Sequence, residues 1–316
     1  MRITVLAGGV GAARFLRGVR AAVPDAEVTV IGNTGDDFTP FGLHVCPDLD
    51  TVMYTLGGGI SEQQGWGRDE ESHRVLAELK AYGAGPDWFG LGDLDIATHI
   101  LRNQLLAEGR TLSEVTQRLC ARWQPGVRLL PMSDDPVRTH VTVELDGQQQ
   151  RLHFQEWWVR LRAAVPAVRI EPLGAAASRP APGVLEAIES ADFVLLPPSN
   201  PVVSVGIILA VPGIAEAVRA QTVVGVSPII GGAPVRGMAD ACLAAIGVET
   251  SARAVAAHYG RALLNGWLVD DQDKDAVDAP ELAGIAVRAR PLLMTDVPAA
   301  AEIAGAAIDL ALELGQ

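Results

Sequence analysis

The feature that most restricts the fold is the glycine turn at Gly8-Gly9-Val10-Gly11. An unbroken apolar run, Ile3–Ala7, precedes it, and a stretch with helical spacing, Ala12–Ala22, follows. Glu27–Ile31 is a second β-rich run and ends at Gly32-Asn33-Thr34-Gly35. Strand, glycine turn, helix and strand in that order predict a βαβ unit with both glycine-rich turns at the carboxyl ends of strands.

The pattern returns late in the chain. Phe193–Leu196 runs into Pro197-Pro198-Ser199-Asn200-Pro201, and Thr222–Val226 into Ser227-Pro228-Ile229-Ile230-Gly231-Gly232. Trp267–Val269 and Ile285–Val287 are further short strands, and Ala299–Leu314 is a closing helix announced by Asp296 and Pro298. Between residues 59 and 165 the texture changes. Ser72–Tyr82, Ile96–Glu108 and Leu112–Trp123 have helical spacing, while Thr139–Leu145 and Arg151–Phe154 alternate around Asp146-Gly147, a hairpin signal. The expected architecture is a doubly wound, mainly parallel Rossmann-like α/β core of residues 1–58 and 166–316, with a helical and hairpin insertion at 59–165. Pro166–Pro182, rich in Ala and Pro, reads as a surface connection back to the core.

Composition removes several classes of function. The 316 residues are 49% apolar and 20% charged, enough to bury a substantial core. With 25 basic against 38 acidic residues the net charge is −13, which disfavours polyanion and anionic-membrane partners. An anion can then bind only through a local device: backbone amides, a helix N-terminus or a metal ion. Cys46, Cys120 and Cys242 are too scattered for a disulfide framework, which points to a reducing cytoplasm. The start of the chain resembles a signal peptide only superficially, because Gly8-Gly9 and Arg14 interrupt it. Val202–Ala215 is broken by Ser204, Gly206, Pro212 and Gly213, short of the roughly 18–20 apolar residues of a membrane span. No G-x-x-x-x-G-K-[ST] occurs, and neither Lys80 nor Lys274 follows a glycine loop, so a P-loop NTPase is excluded. The histidines lack zinc-hydrolase spacing, and there is no G-x-S-x-G elbow.

What remains is an α/β protein with small polar residues at several strand ends, where open parallel sheets bind ligands. Gly8, Gly9 and Gly11 let the backbone approach a phosphate at a helix N-terminus. As a dinucleotide fingerprint the turn is imperfect: Arg14 stands where glycine or alanine belongs, and Gly32-Asn33 offers no acidic residue to a ribose. Asp36-Asp37 and Asp48-Leu49-Asp50 lie close behind in sequence. Carboxylates beside a phosphate repel it unless a divalent cation lies between them, and Mg²⁺ binds in that way. Capping of helix N-termini is the alternative explanation for each acidic pair. Capping and loop chemistry also account for Asp93-Leu94-Asp95 and Ser133-Asp134-Asp135. Trp157-Trp158 offers either a stacking face for an aromatic ligand or core and dimer-interface packing.

Taken together and in order, these segments resemble one family. They are Gly8-Gly9-Val10-Gly11-Ala12, Asn33-Thr34-Gly35-Asp36-Asp37, Cys46-Pro47-Asp48-Leu49-Asp50-Thr51, Leu91-Gly92-Asp93, Ala97-Thr98-His99 and Leu130-Pro131-Met132-Ser133-Asp134. His153-Phe154-Gln155-Glu156-Trp157-Trp158, Pro198-Ser199-Asn200-Pro201 and Ser227-Pro228-Ile229-Ile230-Gly231 complete the set. The chain resembles the 2-phospho-L-lactate transferase family of coenzyme F420 biosynthesis, including its phosphoenolpyruvate transferase branch.

The resemblance implies a cytoplasmic, homodimeric, Mg²⁺-dependent enzyme. Its acceptor would be the deazaflavin Fo, and its donor a guanosine diphosphate bearing a lactyl, enolpyruvyl or glyceryl acid. The terminal ribityl hydroxyl of Fo attacks the phosphorus next to the three-carbon unit, and GMP leaves. Such transfer needs mainly positioning and charge neutralisation. On this reading Gly8, Gly9, Val10 and Gly11 cradle phosphates, and Asp36 and Asp50 hold the metal. Asp50 also takes the hydroxyl proton. Asn33, Thr34, Asp37, Asp48, Ser199, Asn200, Ser227 and Gly231 line the substrates, and the 59–165 insertion contributes to the acceptor site and the dimer. One departure is Leu94, where many relatives carry a basic residue. Two other classes fit less well: a nucleotide-sugar-binding regulator of the gluconeogenesis-factor type, against which Phe38-Thr39-Pro40-Phe41 and Cys46-Pro47-Asp48-Leu49-Asp50 argue, and an NAD-dependent oxidoreductase, which fails on Arg14 and the missing ribose carboxylate.

Overall fold

The first apolar run is strand β1 (Arg2–Ala7), and every residue after Arg2 is buried, as in a strand covered on both faces. Its side chains alternate between two apolar clusters: Ile3, Val5 and Ala7 enter one and Leu6 the other. Helix α1 (Gly9–Ala22) and strand β2 (Glu27–Gly32) complete the βαβ unit. The computed structural model describes residues 1–315.

Helix α2 (Pro47–Leu56) follows, then α3 (Arg74–Ala81), α4 (Asp93–Ala107) and α5 (Leu112–Trp123). Strand β3 (Arg128–Pro131) precedes a hairpin of β4 (Arg138–Leu145) and β5 (Gln148–His153), and β6 (Ala167–Leu173) pairs with β4 on its other side. Then come β7 (Phe193–Leu196), β8 (Val223–Val226), the two-residue strands β9 (Ile229–Ile230) and β10 (Ala233–Pro234), β11 (Gly266–Val269) and β12 (Ala286–Ala289). The main sheet has seven strands in the order β12-β11-β8-β7-β1-β2-β3. All its pairings are parallel, so the expected doubly wound α/β core is what forms. One face is covered by α1, α2 and the C-terminal helix Val297–Leu314, through residues such as Phe15, Val52 and Ile303. The other is covered by residues such as Ile188, Ile214 and Val255.

Two segments lie on the other side of the expected boundaries. Arg128–Pro131, read as part of the 59–165 insertion, is the edge strand of the main sheet beside β2, with Leu129 and Leu130 buried. Four residues are too few to show a period. Ala167–Leu173, read as a surface connection, is an antiparallel strand whose register shifts between Thr142 and Val143 of β4. Its Pro172 is tolerated because the strand is at an edge of the small sheet.

The sheet order reverses at β1, with β2 on one side and β7 on the other. A crevice therefore opens at the carboxyl ends of β1 and β7, the place where such sheets bind ligands. The turns after these two strands meet there. Ser199 Oγ donates to Gly8 O at 2.8 Å, and a Cβ added to Gly11 would lie 2.4 Å from Pro198 O.

Candidate active site

A cavity of about 530 Å³ occupies this crevice. The glycine turn lines it. Gly9 has φ +71°, and a Cβ on Gly8 would lie 2.5 Å from Ser204 Cβ and 2.8 Å from Asp48 Oδ2, so the turn accepts no larger residue at either position. Gly8 has no side chain to cap α1, so among its first amides the one at Gly9 meets the Asp48 carboxylate. Val10, Ser199 and Asn200 also line the cavity. Asn200 Oδ1 caps the following π-helical turn, Pro201–Val205, through the amides of Val202 and Val203, while its buried Nδ2 has no protein partner. Four aromatic side chains, Trp66, Phe89, Phe154 and Trp158, also line the cavity. The two neighbouring tryptophans divide their roles. Trp157 is fully buried and donates to Val165 O at 2.8 Å, whereas Trp158 faces the cavity and tilts against Phe154 with centroids 5.1 Å apart.

Asp36, Asp48 and Asp50 are all buried and all line the cavity. Pro47 opens α2 and places Asp48 and Asp50 in its first turn. Asn33, at the end of β2, gathers the acidic groups: its Nδ2 donates to Asp48 Oδ2 at 2.9 Å and to Asp36 Oδ1 at 3.3 Å. The carboxylates drawn together by Asn33 are thus Asp36 and Asp48. Burial, and then the Asp48 charge, push Asp36 well above the usual carboxylate range. Burial pushes Asp48 up to about 7, against the Asn33 hydrogen bond.

Asp50 belongs to a different network. Its Oδ1 accepts from Arg102 Nη2, and Arg102, 2% exposed, also donates to His44 O at 3.1 Å and to His99 Nδ1 at 2.9 Å. With Nδ1 accepting, His99 carries its proton on Nε2, which lies 3.4 Å from Asp95 Oδ2. Tyr54 completes the chain by donating to Asp95 Oδ1 at 2.7 Å. Burial raises the Asp50 carboxyl, with Arg102 and His99 opposing. Its second oxygen, Oδ2, is buried with no hydrogen-bond partner.

Arg102, His99, Tyr54 and Asp95 were not among the site residues expected from sequence. Asp95 and Tyr54 line the cavity, and the available signal was the i, i+4 and i, i+3 spacing of Asp95, His99 and Arg102 along α4. The capping explanation holds for Asp93, which accepts from the Val75 amide at 3.0 Å and points away from the network.

Other expected site residues lie elsewhere. Thr34 and Asp37 line a separate cavity of about 630 Å³ with Arg138. Asp37 Oδ2 contacts His44 Nε2 at 3.2 Å, and its carbonyl accepts from His153 Nε2 at 3.1 Å. Ser227 does not line the 530 Å³ cavity; its hydroxyl closes its own loop on Ile229, donating to O at 2.8 Å and accepting from N at 3.1 Å. Gly231 does not line it either. With φ +58° it turns the β9–β10 hairpin and donates to Asp273 Oδ2 at 2.9 Å.

Among the described residues, two groups of donor atoms lie within 4.8 Å of one another: Asp50, Asp95 and His99, and Asp37, His44 and Cys46. The carboxylates of Asp36, Asp48 and Asp50 that line the 530 Å³ cavity are of the kind a hard divalent cation binds, and of the three Asp50 alone belongs to one of these groups. Asp36 and Asp48 carry raised pKa values that a cation would relieve, and Asp50 offers an oxygen without a partner.

Comparison with known proteins identifies the family. Residues 3–289 match the family model described as 2-phospho-L-lactate transferase CofD. The chain is 66% identical over 316 residues to a protein named phosphoenolpyruvate transferase from Streptomyces griseus subsp. griseus, covering 99% of each chain. A phosphoenolpyruvate transferase from Thermobifida fusca is 65% identical over 322 residues, covering 99% of each. One from Mycobacterium sp. (strain JLS) is 52% identical over 332 residues, covering 98% of this chain and 99% of that one. Among solved structures, protein BH3568 from Bacillus halodurans shares the fold, with a TM-score of 0.62 at 16% identity, over 97% of this chain and 99% of that chain. The chain therefore belongs to the 2-phospho-L-lactate transferase family of coenzyme F420 biosynthesis.

Proposed function

We propose that this chain transfers a phosphoenolpyruvyl group from enolpyruvyl-diphosphoguanosine to the terminal ribityl hydroxyl of Fo, releasing GMP. The observation that carries the reading is one cavity lined by a phosphate-type glycine turn, by four aromatic side chains and by Asp50. The enolpyruvyl donor is favoured over the lactyl or glyceryl one because the relatives matched across the chain are named phosphoenolpyruvate transferase.

The residues divide the work. The amides of the glycine turn hold the donor diphosphate, and the aromatic side chains hold the deazaflavin ring and exclude water. The hydroxyl oxygen of Fo forms a bond to the phosphorus that bears the enolpyruvyl group. The bond from that phosphorus to GMP breaks, and the hydroxyl proton passes to Asp50 Oδ2. Arg102 grips the other oxygen, Oδ2 has no hydrogen-bond partner, and burial makes Asp50 a stronger base than an exposed carboxylate. Asp36, Asp48 and Asp50 would hold Mg²⁺, which supplies charge neutralisation on the diphosphate.

The same reading makes the molecule a homodimer. Its support is a set of exposed apolar residues on and beside α3 and α4: Val75 (43%), Tyr82 (85%), Leu94 (38%) and Ile100 (55%). Among the described residues no helix is long and apolar enough to cross a membrane.

Incubation with Fo, Mg²⁺ and each of the three guanosine diphosphate donors tests the reading. GMP release is expected fastest with the enolpyruvyl donor. No GMP from any donor, combined with tight binding of a nucleotide sugar, would replace the transferase by a regulatory module.

A further inference from the structure

A diphosphate next to three buried carboxylates is hard to bind for a chain of net charge −13, and backbone amides supply only partial charges. Full positive charge near the glycine turn is therefore informative. Among the described residues lining the 530 Å³ cavity, one lysine or arginine is present, Arg236. It follows the β9–β10 hairpin, which the Ser227 hydroxyl and the Gly231–Asp273 contact hold in place. Its guanidinium and the Val10 side chain both close on Gly65. A Cβ there would lie 3.0 Å from Arg236 Nη1 and 3.1 Å from Val10 Cγ1, and Gly65 has φ +77°. Arg236 Nη2 donates to the Gln64 carbonyl, which fixes the fork without neutralising it.

Arg14 is the second cation. It stands four residues after Val10 on α1, so the two share one helix face beside the cavity. Neighbouring Arg17 is matched to Glu62 at 2.6 Å, but Arg14 and Arg236 take part in no ion pair among the described residues. Partial burial, and then the Arg14 charge, lower the Arg236 guanidinium from its ordinary value. Glu62, held by Arg17, also feels the Arg14 charge, and the Arg14 and Arg236 guanidinium groups repel each other until an anion joins them. We infer that Arg236 and Arg14 form a clamp for the diphosphate of the donor, closing over the glycine turn from the hairpin side. Guanidinium forks suit phosphate oxygens because they donate two parallel hydrogen bonds. The clamp also gives a reason for arginine at the position where a dinucleotide fingerprint has glycine or alanine.

The identity of the ligand as a guanosine diphosphate rests on the function proposed above, whereas the clamp itself requires only a diphosphate. Calorimetric titration of the full chain with inorganic pyrophosphate and with GDP, at fixed Mg²⁺, separates the two. Arg236→Gln and Arg14→Gln lie on different elements, and Arg236→Lys keeps the charge without the fork. Each Gln variant is expected to bind both probes about 10-fold or more weakly, with Arg236→Lys in between. Pyrophosphate binding that is lost in the Gln variants, with GDP no tighter than pyrophosphate, would uphold the clamp and overturn the guanosine reading. Both Gln variants binding GDP and pyrophosphate like the wild type would overturn the clamp and leave that reading intact. Failure of the wild type to bind either probe would overturn both.

Discussion

At the scale of single residues, the site is an arrangement of buried charge that is only partly compensated. Asp50 is matched by Arg102, whereas Asp36 and Asp48 share one asparagine amide. Different outcomes follow at each. Asp50→Asn is expected to lower turnover by about 10²-fold or more while GDP binding survives, as measured by steady-state kinetics beside calorimetry. Full turnover at saturating Mg²⁺ in that variant would remove both the base and the metal role from Asp50. Arg102→Leu strands a buried carboxylate and is expected to cost about 3–5 kcal/mol in chemical denaturation. For Asp48 the sign follows from its folded value of about 7 against an ordinary 3.8. A raised carboxyl contributes stability that is full below 3.8 and is lost as pH rises through about 7. Mg²⁺ is therefore expected to raise the melting temperature more at pH 8 than at pH 5, and an equal rise at both would contradict a cation between these carboxylates. The aspartates were legible in sequence because they follow strand ends and open a helix. Arg102 was not, because it reaches Asp50 across 52 positions and no local spacing connects them.

At the scale of elements, close approach of backbones decides where the site can form. Gly18 of α1 meets the C-terminal helix: an added Cβ would lie 2.2 Å from Ala300 O. Gly18→Ala is expected to destabilise the chain by about 1–3 kcal/mol through overpacking, with the activity of the folded fraction unchanged. Gly11→Ala places its Cβ 2.4 Å from Pro198 O, where the turns after β1 and β7 touch. That substitution is expected to damage diphosphate binding as well as stability, so comparing the two variants by unfolding and calorimetry separates core packing from site construction. The βαβ unit and Leu112–Trp123 could be read from sequence because long periodic runs carry their own signal. β3 could not, since four residues buried on both faces look like any short apolar run. β6 could not either: its alanine and proline content reads as loop, and its pairing with β4 is a tertiary fact.

At the scale of the molecule, the switch point of the sheet brings together segments from the start, the middle and the last third of the chain. The glycine turn and α2 supply the phosphate and acidic parts, while residues on and after the small antiparallel sheet supply Phe154 and Trp158, two of the aromatic side chains. The segment at 59–165 is thus not a detached addition, because it also contributes Trp66, Phe89 and Asp95 to the cavity. Light scattering is expected to report a dimer, and Tyr82→Glu with Ile100→Glu to report a monomer; a monomeric wild type would remove the proposed interface. The central claim is that Fo, bound against the aromatic side chains, accepts the phosphorus. The mass of the deazaflavin recovered after reaction with the enolpyruvyl donor tests this most directly. Fo is predicted to gain one phosphoenolpyruvyl unit for each GMP released, whereas GMP formed with Fo recovered unchanged would show donor hydrolysis and contradict the account.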